Sequence, residues 1–307
     1  ATSKWQWNIN ANISYNKNQI MQLPDGNKTV VEDNRYLMVG QPINSFRLSQ
    51  YNGIYLNEDM IPFDPYTGLK YKNESGQYVQ VGWADYEDVD KDNQYVSWKD
   101  KKPIGDPNPK WVGGLNTNLS YGPWSLFVQT SFTLGRDILN TQFAKTMAPL
   151  SAQYGADEEG VGFSGGPGAN YANPADGHWY YAEDFVARRM MVDLSRYSFW
   201  QKDGDNTNYP SRSQYMNNNN FIERSSLFLE NGSYLKLNTI MLSYNLDKLK
   251  KWGINNARLS LTAENVAIIK SKNTLAADPS NVSPDGYYTG NGYGLPRKFT
   301  IGLMFDF

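Results

Sequence analysis

The last twelve residues of the chain alternate between large apolar side chains and others that are mostly polar or small. Phe299, Ile301, Leu303, Phe305 and Phe307 occupy every second position. Because successive side chains of a strand point to opposite faces, this period of two places all five on one face. Such a strand suits the last strand of a membrane barrel, whose outer surface meets lipid. An unpaired C-terminal strand of a soluble protein would instead be an exposed edge prone to aggregation. The segment therefore predicts an amphipathic strand. Its apolar face could contact either lipid or a protein core.

The first residues of the chain repeat this pattern. Between positions 4 and 16 the apolar positions are Trp5, Trp7, Ile9, Ala11, Ile13 and Tyr15. From Gln6 to Asn16 the alternate positions carry only amide and hydroxyl side chains, which suits a wide, wet lumen. Trp at one end and Tyr at the other resemble the aromatic girdles of a membrane-spanning strand.

Five further runs between these termini alternate in a similar way, although the first of them does so imperfectly. They cover residues 36–51, 111–121, 124–135, 234–246 and 257–269. With the two terminal runs they predict seven long strands. Most reach the roughly 9–11 residues that a membrane-spanning strand needs. The chain is therefore predicted to be all-β.

Composition narrows the class of protein. The 22 Tyr, 13 Phe and 9 Trp make up 14% of the chain. No apolar run suffices for a spanning helix, which excludes an α-helical membrane protein but leaves a β-barrel possible. The net charge of −2 gives no reason to expect nucleic acid, and the absence of cysteine excludes disulfides. Because the chain starts at Ala1 without Met or leader, we expect a removed leader or a piece of a longer protein.

The connections between the predicted strands alternate between short and long. Residues 122–123 and 247–256 are short turns, whereas 53–109, 141–224 and 271–295 are long excursions. Outer-membrane barrels have short periplasmic turns and longer extracellular loops. If the last strand descends to the periplasm, all three excursions are extracellular loops. This segregation favours a transmembrane antiparallel β-barrel over a soluble sandwich.

Seven strands are too few to close a membrane-spanning barrel, because bacterial barrels start at about eight strands. Residues 1–307 are therefore predicted to form the C-terminal part of a larger barrel. We expect this part to contribute about 7–9 strands. The rest of the barrel would come from a preceding segment.

Several segments resemble, in the same order, the C-terminal half of the SusC/RagA family of TonB-dependent outer-membrane transporters. Gly232-Ser-Tyr-Leu-Lys-Leu237 is similar to the family's Gly/Ala-Ser-Tyr-Leu-Arg-Leu strand. It departs from that pattern by Lys236 in place of Arg and by a one-residue difference around Asn238. Each match is short, and their common order makes the resemblance specific. The other matching segments are Pro103–Gly114, Trp200–Arg212, Ala263–Pro279 and Pro296–Phe307.

The resemblance implies a barrel of about 22 strands with an internal plug and a TonB-contacting segment N-terminal to it. It also implies import of oligosaccharides or peptides across the bacterial outer membrane, with a SusD-like surface lipoprotein over the extracellular mouth. The implied partners are this lipoprotein, TonB, the remaining N-terminal barrel and plug segment, the substrate and outer-membrane lipid. None of the matching segments belongs to the plug or to the TonB-contacting segment.

Two alternatives stay open. One is a siderophore-type TonB-dependent receptor with the same kind of barrel. The other is a secreted β-sandwich that binds glycans, which the many aromatic residues would also suit. Detergent dependence separates the sandwich from the barrels, and the identity of the transported solute separates the two receptors.

An acidic stretch suggests a calcium site. Asp88, Asp90 and Asp92 stand at positions 1, 3 and 5 of a loop with EF-hand spacing, and three oxygens at that spacing can bind Ca²⁺. Asn93 at position 6 and Lys99 at position 12 replace the usual Gly and Glu. The family shows an Asp-x-Asn-x-Asp-Gly run here, so this sequence is a degraded version. A solvated acidic turn is the alternative.

Aromatic residues in the long excursions could stack on sugar rings or peptide side chains. Loop packing, or contact with a lid protein, explains them equally well. Arg258 and Glu264 fall on the predicted lumen side and are candidates to line the translocation path. The aromatic candidates for substrate binding are Trp179, Trp200, Tyr209, Tyr287 and Tyr288.

No residue pattern predicts catalysis. His178 is the only histidine and has no serine or cysteine context that would make it the partner of a nucleophile. Adjacent acids such as Glu158-Glu159 are typical of a solvated loop rather than of a glycosidase pair. The chain is therefore predicted not to be an enzyme.

Overall fold

The computed structural model describes residues 4–32, 35–64, 66–74, 76–147, 171–172, 179–180, 207, 209–211, 221–246, 249, 254, 256–290 and 295–306. The chain divides into two compact units. The first comprises Ala1–Gln19, Gly105–Leu139 and Glu230–Phe307, and the second comprises Ile20–Ile104 and Asn140–Leu229.

Strands dominate the described residues, with a few short helical segments between them. The helical segments are a turn at Pro24–Asn27, the helix Thr141–Met147 and 3-10 turns at Glu58–Met60 and Ser226–Phe228. The strands in chain order are β1 (Trp5–Tyr15), β2 (Val30–Glu32), β3 (Arg35–Leu37), β4 (Phe46–Leu48), β5 (Tyr51–Ile54), β6 (Ala84–Tyr86), β7 (Lys102–Ile104), β8 (Trp111–Tyr121), β9 (Trp124–Leu134), β10 (Asp137–Asn140), β11 (Tyr171–Ala172), β12 (Trp179–Tyr180), β13 (Leu229–Asn231), β14 (Tyr234–Asn245), β15 (Asn256–Lys270), β16 (Tyr287–Tyr288) and β17 (Lys298–Asp306).

The first unit is built on one long sheet of six strands in the order β1-β8-β9-β14-β15-β17. Every neighbouring pair is antiparallel. Because each strand pairs with the next long strand along the chain, the sheet is an up-and-down meander. Six of the seven predicted long strands are thereby confirmed in position and length.

The connections of this long sheet are short at one end and long at the other. Only Gly122 and Pro123 join β8 to β9, and residues 246–255 join β14 to β15. Gly122 has a φ of 53°, a left-handed backbone that glycine adopts without steric penalty. The connections 16–110, 135–233 and 271–297 all leave from the opposite end. Which of the two ends faces the cell exterior stays a prediction.

A β-bulge interrupts the regular pairing of β14. Its register with both neighbours shifts between Leu237 and Thr239. Against β9 the extra residue is Asn238, whereas against β15 the extra residue lies on β15, where Asn265 and Val266 stand opposite Asn238 alone. The Asn238 side-chain amide donates a hydrogen bond of 2.9 Å to the Ser131 hydroxyl on β9. The sequence departs from the family pattern at this same position.

A second, smaller sheet in the order β13-β10-β16 accompanies a satellite core. Ile138, Ala276 and Tyr288 form this core, with Val282 packed against it. The Ala276 amide donates to the Glu230 carboxylate at 3.0 Å. These contacts anchor residues 274–288, part of the connection between β15 and β17.

The second unit contains a four-stranded sheet, β2-β3-β4-β7, and the pair β5-β6. An aromatic cluster forms its core. The helix Thr141–Met147 is capped at its N-terminus by Asn140, whose side-chain oxygen accepts a 2.9 Å hydrogen bond from the Phe143 amide. Among the described residues, no helix is both long and apolar enough to cross a membrane. The buried members of the aromatic cluster are Tyr55, Ile61, Tyr71, Val79, Trp83, Tyr86 and Tyr95.

The prediction of one long strand over residues 36–51 is wrong. The segment contributes only the short strands β3 and β4 and the first residue of β5. Gly40, with a φ of 90°, and Pro42, which has no N–H to donate, interrupt it. Phe46 and Leu48 are both 1% exposed, so the apparent alternation reflects a buried pair in the second unit.

Candidate functional sites

The long sheet has an apolar face that no other described residue of its unit covers. Trp7, Phe299 and Ile301 are 67%, 78% and 76% exposed. A contiguous apolar surface of this extent is rare on soluble monomers and marks contact with lipid or another protein. Its central row, read across the strands by register, is Ile9, Thr117, Val128, Ile240, Ala263 and Phe299.

Aromatic residues lie at both ends of this apolar face. At the end with the short turns, Trp5 and Tyr121 lie with ring centroids 4.3 Å apart, and Trp124 and Tyr244 lie 4.7 Å apart. At the other end, the rings of Tyr15 and Trp111 are 4.5 Å apart. Trp and Tyr favour both interfaces of a bilayer because their rings are amphipathic.

The spacing of the two aromatic ends matches a membrane. Trp5 and Tyr15 are separated by ten residues of β1, which correspond to about 33 Å at a rise of ~3.3 Å per residue. A strand tilt of about 40° reduces this to about 25 Å along the membrane normal, the height of the apolar band of outer-membrane barrels.

The opposite, polar face of the long sheet carries neutral hydrogen-bonding groups on its first three strands. Asn8 lies opposite Asn118, and Asn10 lies opposite Asn116, which in turn lies opposite Gln129. The strands β1, β8 and β9 contain no charged residue. This part of the face offers amides and hydroxyls without net charge.

A shallow hollow of about 420 Å³ lies in this polar face. Gly114 is one of its lining residues, and a Cβ there would lie only 2.8 Å from the Thr130 carbonyl oxygen, so a larger residue would require the backbone to shift. Asn12, Asn116 and Asn238 are among the residues that line it. The hollow is therefore uncharged, and its amides and hydroxyls share the lining with the apolar Ile13 and Val112.

The charged residues of the polar face lie on the later strands. Arg258 donates a 2.6 Å hydrogen bond to the Ser243 hydroxyl. Glu264 lies 3.3 Å from the Lys298 ammonium group. Both candidate residues thus lie on the polar face of β15, each with a neighbouring partner, and their role in a translocation path stays a prediction.

The aromatic candidates are dispersed. Trp200 lies outside the described residues, and Trp179 lies in β12 opposite Ala172. Tyr209 is half-buried, with its ring 6.1 Å from that of Phe143.

The adjacent tyrosines of β16 differ from each other. Tyr287 is half-buried, whereas Tyr288 belongs to the satellite core and is 6% exposed. The Tyr288 hydroxyl accepts a 3.3 Å hydrogen bond from the Ala277 amide. Tyr288 therefore fits the loop-packing interpretation, because it offers no open ring face for a ligand.

The acidic stretch forms a cluster with a different membership from the one that the spacing suggests. Carboxylate oxygens of Asp88, Asp90 and Asp100 lie within 4.8 Å of one another. Asp92 instead lies 3.1 Å from the Lys99 ammonium group. Counting loop positions missed Asp100, which follows position 12 by one residue.

The long sheet, with its apolar face, aromatic ends and polar face, has the strand architecture of a transmembrane β-barrel wall. No family model matches the chain. It is 25% identical to TonB-dependent receptor P26 of Formosa agariphila over all of its own length and 28% of that protein. It is also 25% identical to TonB-dependent receptor P3 of the same organism, over 98% of the chain and 27% of that protein. The chain thus spans little more than a quarter of these relatives.

Two solved structures share the fold. The RagAB peptide importer in its open-open state matches with a TM-score of 0.62 at 20% identity, over 100% of this chain and 27% of that one. Its closed-closed state matches with a TM-score of 0.60 at 18% identity, over 99% and 28%. Together, the comparisons fit the C-terminal part of a SusC/RagA-type TonB-dependent transporter, and they confirm the predicted family resemblance and fold class. The relatives are receptors and transporters rather than enzymes, as predicted.

Proposed function

We propose that the chain forms C-terminal wall strands of a TonB-dependent importer in the bacterial outer membrane. The observation that carries this proposal is the uncovered apolar face, which lies between two aromatic ends at membrane spacing. The relatives are named as TonB-dependent receptors and as a peptide importer, which supports import rather than a secreted glycan-binding function. A β-sandwich would also need a second layer on the apolar face, and the described part of the first unit provides none.

The remaining barrel and the plug are the first partners that this function needs. Within the described residues, β1 pairs only with β8 and β17 pairs only with β15. Unpaired strand edges are unfavourable in a bilayer, because no water satisfies their N–H and C=O groups. Strands from the N-terminal part of the barrel would pair with both edges, and the TonB-contacting segment would belong to that part as well.

The proposed cargo is an oligosaccharide or a peptide. The neutral amides and hydroxyls on the polar face of β1, β8 and β9 can hydrogen-bond to sugar hydroxyls or to peptide groups equally well. A siderophore-type receptor is the second candidate within the same barrel class. A SusD-like surface lipoprotein is the proposed partner at the extracellular mouth, supported by the likeness to the RagAB complex.

Uptake assays test this function. A strain lacking the full-length gene would be complemented with the wild-type gene, and uptake of labelled oligosaccharides, peptides and iron chelates would be measured. We expect loss of oligosaccharide or peptide uptake in the deletion strain and its restoration by the wild-type gene. Loss of iron uptake alone would instead support the siderophore receptor.

A matched pair of variants tests the role of the polar face. Asn116→Leu removes an amide at the hollow, whereas Leu115→Ile, its neighbour on the apolar face, retains the character of that face. We expect the first variant to reduce uptake while the second does not. Equal uptake by both at equal surface abundance would contradict a polar translocation surface at this hollow.

A further inference from the structure

A cluster of basic residues lies where β4 and β7 pair in the second unit. The last pair of the two strands joins Leu48 to Lys102, so Lys101 comes directly beyond the end of β4. The Ser49 amide, also directly beyond β4, donates a 3.0 Å hydrogen bond to the Arg224 carbonyl oxygen. The backbone therefore brings basic residues from three separate segments together. The basic cluster consists of Arg47 of β4, Lys101 and Arg224.

The Arg47 guanidinium group is half-buried, and it leaves donors without acceptors. It has five N–H donors. Its Nη2 donates a 2.7 Å hydrogen bond to the Trp98 carbonyl oxygen, and its Cζ lies 5.1 Å from the centre of the Tyr36 ring. Its Nε is buried and has no hydrogen-bond partner among the described residues. A buried donor without an acceptor destabilises a fold, so native structures generally provide one.

Ser45 provides a second, independent observation. It precedes Arg47 by two residues, and side chains two residues apart on an extended chain lie on the same side. Ser45 is 1% exposed, and within the described part of the chain its hydroxyl has no hydrogen-bond partner. A buried hydroxyl and a buried cationic N–H on one side of a strand can both donate to one acceptor. An anion is the strongest acceptor for such a pair.

Lys101 adds a half-buried positive charge. Burial lowers the pKa of its ammonium group, the charges of Arg47 and Arg224 lower it further, and Glu74 opposes them. Three positive charges and one negative charge give these four residues a net charge of +2. Like charges brought together away from water repel each other more strongly than in solution. A bound anion would relieve this repulsion.

Two neighbouring lysines differ from Lys101 because they have partners. The Lys102 ammonium group lies 2.5 Å from the Glu87 carboxylate, and that of Lys99 lies 3.1 Å from Asp92. Lys101 lies between them in the sequence and has no carboxylate of a described residue at ion-pair distance. The unneutralised charge is therefore specific to the basic cluster.

We propose that Arg47, Lys101 and Ser45 bind a carboxylate group of the cargo, one oxygen accepting from Arg47 and Ser45 and the other from Lys101. The proposal rests on the proposed function, because carboxylates are the anionic groups of acidic oligosaccharides and of peptides. The planar fork of an arginine matches a carboxylate, and lysine adds a point charge. Trp98, whose carbonyl group contacts Arg47, is 63% exposed, so a ligand can approach this part of the protein from solvent.

The test measures binding to the purified full-length protein in detergent by isothermal titration calorimetry. The acidic probes are trigalacturonate and triglutamate, and their neutral counterparts are galactotriose and triglutamine. We expect at least one acidic probe to bind, and its neutral counterpart to bind at least about tenfold more weakly, because charged hydrogen bonds are lost. The acidic probe that binds identifies the source of the carboxylate, a sugar acid or a peptide.

The variant Lys101→Gln separates a binding role from a structural one. We expect it to weaken binding of the acidic probe, whereas the Tm of the ligand-free protein should stay equal or rise, because a repelling charge beside Arg47 is removed. Arg47→Gln should weaken binding at least about tenfold. The matched control is Lys28→Gln, an exposed lysine of the same unit with the same change in net charge, and it should bind as the wild type does.

Three results would overturn the site. Binding of neither acidic probe would leave only a water molecule for Ser45 and Arg47. Equal affinities of Lys101→Gln and Lys28→Gln would remove Lys101 from the site. A lowered Tm of ligand-free Lys101→Gln would mean that the cluster holds an acidic segment of the protein itself.

The uptake assay keeps this proposal separate from the proposed function. Unchanged uptake by Lys101→Gln, together with loss of uptake in the deletion strain, would remove the site and retain the importer. If the deletion strain lost no uptake, the importer would be removed, while calorimetry on the purified protein would still report whether the carboxylate site exists.

Discussion

Neighbouring residues on β9 lie on opposite faces of the long sheet, and this allows a prediction at the scale of single residues. Val128 lies in the central row of the apolar face, and Gln129 lies on the polar face. We expect Val128→Arg to lower the free energy of unfolding of the barrel in a bilayer by about 2–4 kcal/mol. Gln129→Arg should lower it much less, because its charge would remain in water. Denaturant titration of the full-length protein refolded into lipid vesicles measures both, and equal losses would contradict the assignment of the faces.

The assignment of residues to these faces could be predicted from the sequence, because a period of two requires no knowledge of distant contacts. The membership of the acidic cluster could not. Asp100 joins Asp88 through the folding of the intervening loop, whereas counting positions pointed to Asp92. The burial of Tyr288 could not be predicted from the sequence either. Its core partner Ile138 lies far away along the chain in β10, and Ala276 lies in the connection that precedes β16.

Among the elements, long strands were predictable and short ones were not. Each of β1, β8, β9, β14, β15 and β17 spans at least nine residues, so its alternation of side chains is long enough to be recognised in the sequence. The segment 36–51 shows the limit of this reasoning. Residues on both sides of Gly40 and Pro42 were counted as one strand because of their imperfect alternation, although the backbone turns between β3 and β4.

An ion pair fastens β14 to the connection that follows β15, and it supports a prediction at the scale of elements. The Lys236 ammonium group lies 3.4 Å from the Asp278 carboxylate and 3.1 Å from the Ser280 hydroxyl. The two charged side chains are only 11% and 18% exposed. We expect Lys236→Met to destabilise this connection locally by about 1.5–3 kcal/mol, because a charged hydrogen bond is lost. Faster hydrogen exchange at the Ser280 amide would measure this change.

The same contact should respond to acid. Burial alone raises the pKa of Asp278, but hydrogen bonds from Ser280 and the charge of Lys236 outweigh it, so the pKa is lowered overall. A carboxyl group with a lowered pKa in the folded state stabilises it above the unfolded pKa, and this stabilisation is lost as the pH falls. The protection factor of the Ser280 amide, which corrects for the slower intrinsic exchange in acid, should therefore fall as the pH falls in the wild type. In Lys236→Met this pH dependence should be smaller, and an unchanged dependence would exclude Lys236 as a cause of the lowered pKa.

At the scale of the whole molecule, the medium that surrounds the apolar face decides the interpretation. The chain covers about a quarter of its relatives, and the long sheet has two strand edges without partners among the described residues. A wall of this kind needs both lipid and the other strands of a barrel. Fold class and family resemblance could be inferred from the sequence, since both depend on local patterns in a fixed order. The cargo could not, because its contacts would be shared with parts of the protein beyond this chain.

The full-length protein should therefore depend on detergent. We expect extraction from membranes to require detergent, and removal of the detergent to cause aggregation through residues such as Trp7, Phe299 and Ile301, which are at least 67% exposed. Analytical ultracentrifugation before and after detergent removal measures this. A matched variant, Thr300→Ser on the polar face, should behave as the wild type does. If the protein remained a monomer in buffer without detergent, a protein layer would have to cover the apolar face, and the sandwich alternative would replace the barrel.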